Sequence, residues 1–315
     1  MNPAFSVILL TTASGAGYGM LFWLGILDAA GVMPPNLSFG IPAIFIALAL
    51  ASIGLLASTL HLGHPERAWR AISQWRSSWL SREGVVSLFT YLPALAFAAA
   101  WGIAGPHAVV TMVAGVVAAL CGMLTVFCQA MIYASLPPVR QWHNRFVPPN
   151  LVLLSLASGA ACLAAMVTFW LSGAGRIMAA VAFVLGLGCI AAKIAYWRWM
   201  DREPSSSTIE SATGLGTIGA VRQLEAPHIE ENFLLREMGF RIGRKHGDRL
   251  RGIAIGVGFV VPAILLIVGI ILGNPAATVL FPIAAAMTLV GVYVERWLFF
   301  AQATHTVTLY YGRAV

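Results

Sequence analysis

Charge is scarce in this sequence. Asp, Glu, Lys and Arg together make up 10% of its 315 residues, against 59% for the hydrophobic types, where a soluble globular chain carries about 25% charged residues. So few charges cannot coat a soluble protein of this length, and the mean hydropathy of +0.83 points the same way. Intrinsic disorder, which needs low hydrophobicity, is excluded by the same composition. Cysteine is also scarce: Cys121, Cys128, Cys162 and Cys189 fall inside apolar runs, and none forms C-x-x-C. That excludes a disulfide scaffold and leaves no spacing suited to zinc or an iron–sulfur cluster in this chain. The four read as small buried hydrophobes. The net charge of +7 does not indicate nucleic acid, because basic residues between apolar runs fix topology and meet anionic lipid.

Long apolar runs are what the sequence has in plenty. A bilayer crossing takes about 20 apolar residues in a helix, and eight runs qualify, at 5–30, 40–62, 85–104, 109–133, 151–171, 177–196, 253–272 and 278–300. Strand-type alternation is absent, so helices must satisfy the backbone in lipid. The fold expected is an all-α integral membrane protein: one anchor domain over 1–315, a bundle of eight transmembrane helices. The first run lacks a basic leading segment and is too long for a signal peptide.

The charges then set the orientation. The connections after the second, fourth and sixth runs, with the C-terminal tail, hold sixteen of the nineteen Lys and Arg residues, while the opposite side holds Arg176 alone. The positive-inside rule places both termini and these connections in the cytoplasm of a bacterium, with the bundle in its inner membrane. One of these connections, 198–251, is long. Its stretch from Glu230 mixes apolar and charged residues: Phe233, Arg236, Phe240, Arg241, Arg244 and Lys245. A solvated topological loop and a docking surface for a cytoplasmic partner both fit; amphipathic content favours docking, because topology alone does not need it.

Ionisable groups in or at the edge of a bilayer are costly and are default functional candidates. Here they are Asp28, alone near the outer surface, and His61, Glu83, Lys193, Glu295, Arg296 and His305, all in the cytoplasmic halves or ends of their spans. His61 ends the second span. Beyond Gly63 and Pro65, residues Ala68, Trp69, Ile72, Trp75, Trp79 and Leu80 share one arc of an α-helix, opposite Arg67 and Arg70. This predicts an amphipathic helix lying in the interface. Ser81 then reads as the cap of the third span, with Glu83 in its first turn. A histidine and a carboxylate emerging at one membrane face suit a site that hydrogen-bonds a carbonyl oxygen and moves a proton, as a quinone requires. Satisfied helix-end residues fit the same spacing. Adjacent Glu295 and Arg296 point about 100° apart and cannot both face one neighbour; each is expected to find a partner inside the bundle, a structural buried pair being favoured over a site role. His305 returns to the same surface, and nothing fixes it facing another histidine as a haem would need. Gly15, Gly17 and Gly19 permit close helix packing.

Leu60-His-Leu-Gly-His64-Pro-Glu-Arg67-Ala-Trp-Arg70, followed by Ser77-Ser-Trp-Leu-Ser-Arg-Glu83, resembles the signature of the DmsC-type membrane anchors of DMSO-reductase-like molybdoenzymes. The stretch Glu295 to His305 and the eight spans are similar as well. The resemblance implies a complex in which a molybdopterin catalytic subunit and an iron–sulfur subunit with 4Fe-4S clusters dock on this anchor. The anchor then carries neither haem nor cluster and exchanges electrons with ubiquinone or menaquinone. It implies that His61 and Glu83, 22 residues apart, are the quinone-site pair, with His64, Arg67, Arg70, Glu295, Arg296 and His305 as further candidates. The cytoplasmic position of the motif and the long sixth connection are more similar to the sulfite dehydrogenase (SoeC-like) branch, in which sulfite oxidation reduces quinone. A quinol-oxidising DMSO reductase anchor of anaerobic respiration is the alternative. A secondary transporter, of a different class, would call for an internal repeat and midplane polar groups, which the sequence does not display.

Overall fold

The computed structural model describes residues 3–202, 207–225 and 246–311. Among them eight helices are long and apolar enough to cross a membrane: α1 Phe5–Ala29, α2 Leu37–Leu60, α3 Trp79–Ile103, α4 Val109–Ala134, α5 Val147–Val167, α6 Ser172–Arg202, α7 Gly247–Leu272 and α8 Ala276–Ala301. The chain is a multi-pass membrane protein. Apolar runs alone place several helix ends too far inward: α3 begins at Trp79, α6 spans 172–202 and α7 begins at Gly247. The extra turns are polar, so hydropathy does not mark them, yet their backbone N–H and C=O groups still pair best within a helix.

Two helices lie at the centre. The most apolar windows of α1 and α5 are 78% and 67% buried, against 33–44% for the other six. Between α1 and α5, Gly19 sits against Gly159 and the backbone of Ser155 so closely that a β-carbon at either glycine would collide with main chain. Without a hydrophobic force to drive helices together in lipid, such close backbone approach gives the van der Waals contact that holds them. α1 also packs against α2 and α4, while α8 closes on α5 and α7.

α1 is not uniform. Leu10–Ser14 forms a π-turn within it, and a second π-turn, Gly256–Val260, precedes Pro262 in α7. Such turns widen a helix locally and recur at functional sites.

The segment after α2 departs from expectation. Ser58–His61 tightens into a 3₁₀ turn, and Pro65–Gln74 continues as a 3₁₀ helix rather than the expected α-helix. With three residues per turn, side chains at i and i+3 eclipse. Trp69, Ile72 and Trp75 therefore form one exposed ridge, and Ala68 and Ala71 form another that faces the bundle. The cap of α3 is Ser78, whose hydroxyl accepts the N–H of Ser81 at 3.5 Å, and not Ser81 itself. The Ser81 hydroxyl instead donates to the carbonyl of Ala71. Arg82 lies over the Trp79 ring at 4.3 Å and donates to the carbonyls of Trp75 (3.0 Å) and Arg76 (2.7 Å). The interfacial helix is thereby tied to the start of α3.

In the connection between α6 and α7, a short helix Ile209–Thr213 is held by the Tyr310 hydroxyl, which donates to the Ala212 carbonyl at 2.8 Å. Arg251 grips Asp201 with two hydrogen bonds of 2.7 and 3.0 Å, pinning the ends of the two helices together. The expected docking residues Glu230, Phe233, Arg236, Phe240, Arg241, Arg244 and Lys245 lie outside the described residues.

Candidate functional site

At the arginine-rich end of the bundle, α1, α2, the 3₁₀ helix, α3 and α4 enclose a cavity of about 580 Å³, within the 300–1,000 Å³ usual for a small-molecule site. Val7, Leu10, Leu55, Leu62, Leu80 and Ile132 make its wall apolar, and Ala68 and Ala71 of the 3₁₀ helix close it on one side. Polar groups are few and placed at two depths. His64 and Arg67 stand at the exposed mouth, where Glu66 bridges them, 3.0 Å from His64 Nδ1 and 3.6 Å from Arg67 Nε. All three are more than half exposed, so these pairs add little stability. Inside stand Glu83 and Tyr133.

Glu83 owes its depth to the early start of α3, which carries it into the second turn, 4% exposed. A carboxylate so buried requires hydrogen-bond partners. It accepts from the Gln129 amide of α4 at 2.8 Å, and the same amide nitrogen donates to Ser14 Oγ of α1 at 3.3 Å. Three helices thus converge on this carboxylate. Tyr133, one turn beyond Gln129 on α4, is clamped edge-on by Trp142, Phe299 and Phe300, with ring centroids 5.3–5.4 Å away. This aromatic packing fixes the phenol at the cavity wall.

The backbone of His61 closes the 3₁₀ turn between Thr59 and Leu62, both on the cavity wall; its side chain lies outside the described part of the structure. Arg70 is on the exposed face of the 3₁₀ helix and does not line the cavity. Glu295 and Arg296 lie apart from it in a buried structural pairing, in which they bind one another despite the 100° offset. Arg296 curls back so that its Nε donates to Glu295 Oε2 at 2.5 Å, and Lys193 Nζ of α6 meets Oε1 at 2.5 Å. Both cations also rest on aromatic rings, Lys193 on Tyr196 at 4.3 Å and Arg296 on Phe299 at 4.7 Å. The long, flexible arginine side chain overcomes the 100° offset that backbone geometry imposes. His305 is also outside the cavity, its Nδ1 accepting the N–H of Val307 at 3.0 Å.

Gln129 and Tyr133 of the candidate site and His107, the partner of Asp28, are not among the residues that the sequence marks. Gln129 and Tyr133 bear no charge, so charge within apolar runs does not mark them. An amide within the run 109–133 was the available signal, because lipid offers it no partner. At the opposite end of the bundle Asp28 is not alone: the His107 backbone N–H donates to Oδ1 at 3.1 Å, and the His107 ring nitrogens lie 2.9 Å from the Asp28 carbonyl and 3.2 Å from that of Met33. Among the described residues no group of three or more His, Cys, Asp and Glu side chains is placed to hold a metal ion.

Comparison with known proteins identifies the family. Residues 1–312 match the family described as DMSO reductase anchor subunit (DmsC). A sulfite dehydrogenase subunit of Allochromatium vinosum is 33% identical, with 99% of each chain covered. The chain belongs to the DmsC family, the membrane anchor subunits of molybdoenzyme complexes.

Proposed function

We propose that this anchor serves a sulfite-oxidising complex and delivers its electrons to quinone in the cavity beside Glu83. The observation that carries the reading is a buried carboxylate on the wall of an otherwise apolar cavity, with a phenol nearby and two basic side chains at the mouth. A quinone is a flat apolar ring with two carbonyl oxygens, and its reduction consumes two electrons and two protons. Leucine and isoleucine walls suit the ring and tail, while Glu83 and Tyr133 on the same wall would supply hydrogen-bonding and proton-carrying groups for the ring oxygens. His61 is a further candidate proton-bearing partner, since its backbone lies between Thr59 and Leu62, which line the cavity.

Sulfite and water give sulfate, two protons and two electrons at a molybdopterin subunit. An iron–sulfur partner passes the electrons singly to the quinone. The likeness to a sulfite dehydrogenase subunit across 99% of both chains supports this direction of flow. In this reading the arginine-rich end, where the cavity opens, lies at the cytoplasmic side of the inner membrane, which the one-sided distribution of Lys and Arg supports. Trp69, Ile72 and Trp75 then face the headgroups of that leaflet, where tryptophan is favoured. The family's description favours a second reading, in which quinol is oxidised and electrons flow outward to a DMSO reductase.

The test uses the whole complex in membranes, comparing quinone-linked with artificial-dye-linked turnover. Glu83→Gln and His61→Arg are expected to lower the quinone-linked rate about 100-fold, the scale of one proton-transferring group, while the dye-linked rate of the partner subunits persists. Unchanged quinone-linked rates in both variants would overturn the site. Sulfite-dependent quinone reduction supports the first reading, and DMSO-dependent quinol oxidation without sulfite oxidation supports the second. Copurification without molybdenum and iron sinks both.

A further inference from the structure

The Glu83 carboxylate is not merely adjacent to Gln129; the hydrogen bonds around that amide have a direction that the geometry fixes. The Ser14 hydroxyl donates its one hydrogen to the Leu10 carbonyl at 2.6 Å. Toward Gln129 it can therefore only accept. The side of the amide that faces Ser14 must be the NH₂, and the same nitrogen lies 2.8 Å from Glu83 Oε1. The reversed amide would set its oxygen against a hydroxyl oxygen with no hydrogen left to give. Ser14 stands at the end of the π-turn of α1, where its bond to Leu10 also stays within the helix.

An amide NH₂ donates and does not accept. A carbonyl oxygen accepts more strongly than an acid hydroxyl oxygen, so while this N–H occupies Oε1 the proton of the Glu83 carboxyl is favoured on Oε2. We propose that Gln129, oriented by Ser14, is a positioning residue that biases the exchangeable proton of Glu83 toward Oε2 and so aims it at the cavity. This rests on the quinone reading of the cavity. In quinone reduction the two electrons come singly from the iron–sulfur partner. Glu83 passes the proton on Oε2 to one ring oxygen, the second proton reaches the other oxygen from water at the mouth, and the carboxylate left behind takes a fresh proton from the same water. The Gln129 N–H stays on Oε1 throughout, so no reorganisation accompanies the transfer.

The prediction is read in the intact complex. Gln129→Leu is expected to lower the quinone-linked kcat about tenfold relative to dye-linked turnover, as loss of one hydrogen bond to a charged group does, with KM for quinone little changed. Ser14→Ala, which frees the amide to turn, lowers it in the same direction by less. The spectroscopic signature is the carboxyl C=O stretch in the redox-induced infrared difference spectrum, assigned by its disappearance in Glu83→Gln. It moves to higher wavenumber in Gln129→Leu because the carbonyl oxygen Oε1 loses its donor. If Glu83→Gln abolishes quinone-linked turnover while the band and kcat of Gln129→Leu match the parent protein, the positioning role is wrong and the site stands. If Glu83→Gln is itself active, the site reading has failed. Should Gln129→Leu not assemble, the same two readouts on Ser14→Ala decide.

Discussion

Glu83 and Glu295 are two buried glutamates in one bundle, 4% and 1% exposed, yet their surroundings differ in kind. Glu295 is enclosed by two cations, Lys193 on one oxygen and Arg296 on the other, and the aromatic rings under those cations exclude water. Glu83 has a neutral amide on one oxygen and lines a cavity. A carboxylate locked between cations has no use for a proton. One that meets a neutral donor and an open space can gain and lose a proton as its neighbour changes charge. Burial alone, then, does not mark a reactive group; what decides is whether the partners are charged and whether a ligand can reach it.

This contrast predicts opposite outcomes for the same change. Glu295→Gln leaves Lys193 and Arg296 buried without their counter-charge, and breaking such a pair costs about 3–5 kcal/mol. The expected result is a lower thermal midpoint and less assembled complex, with the surviving complex keeping its quinone-linked to dye-linked ratio. Glu83→Gln is expected to do the reverse, sparing assembly and losing that ratio. If Glu295→Gln assembled normally and lost only quinone turnover, the division between the two glutamates would be broken. A smaller effect is expected for Asp28→Ala at the far end of the bundle. There the His107 backbone N–H loses its acceptor and the ring Nδ1 loses the carboxylate while keeping the Asp28 carbonyl, a cost of about 1–3 kcal/mol, read as a lower thermal midpoint with the quinone-linked ratio untouched.

The eight spans were legible in the sequence because lipid imposes a length and a composition that 315 residues cannot conceal. The Glu83 position was legible as a carboxylate near a helix start, since charge in a bilayer is rare enough to stand out. The rest was hidden for physical reasons. Ser78 and Ser81 are both capable caps three residues apart, and only the fold reveals that Ser78 takes the Ser81 N–H while Ser81 reaches back to Ala71. Gln129 and Tyr133 belong to the site by contact across helices, and such contacts leave no trace in local periodicity. The pairing of Arg296 with its own neighbour depends on side-chain length, which a helical wheel ignores.

His305 sharpens the comparison from the other direction, since it shares the arginine-rich end with Glu83 and yet stands outside the cavity. Its Nδ1 accepts a backbone N–H from Val307, a bond available only while that nitrogen carries no proton. Burial works the same way, holding its pKa below the ordinary histidine value of 6.5. An unfolded chain binds the proton at higher pH than the folded one, so this residue's contribution to stability is present in full above the ordinary histidine range. It is lost as pH falls through that range toward the lower folded value. The solubilised complex should therefore show a thermal midpoint that declines between about pH 7 and pH 5. His305→Asn, whose side-chain oxygen can accept the same N–H at any pH, should flatten that decline while quinone-linked turnover at pH 7 stays within about twofold of the parent. A tenfold rise in KM for quinone in His305→Asn, with the pH slope unchanged, would instead move this histidine into the cavity's chemistry and blur the line drawn between the two glutamates.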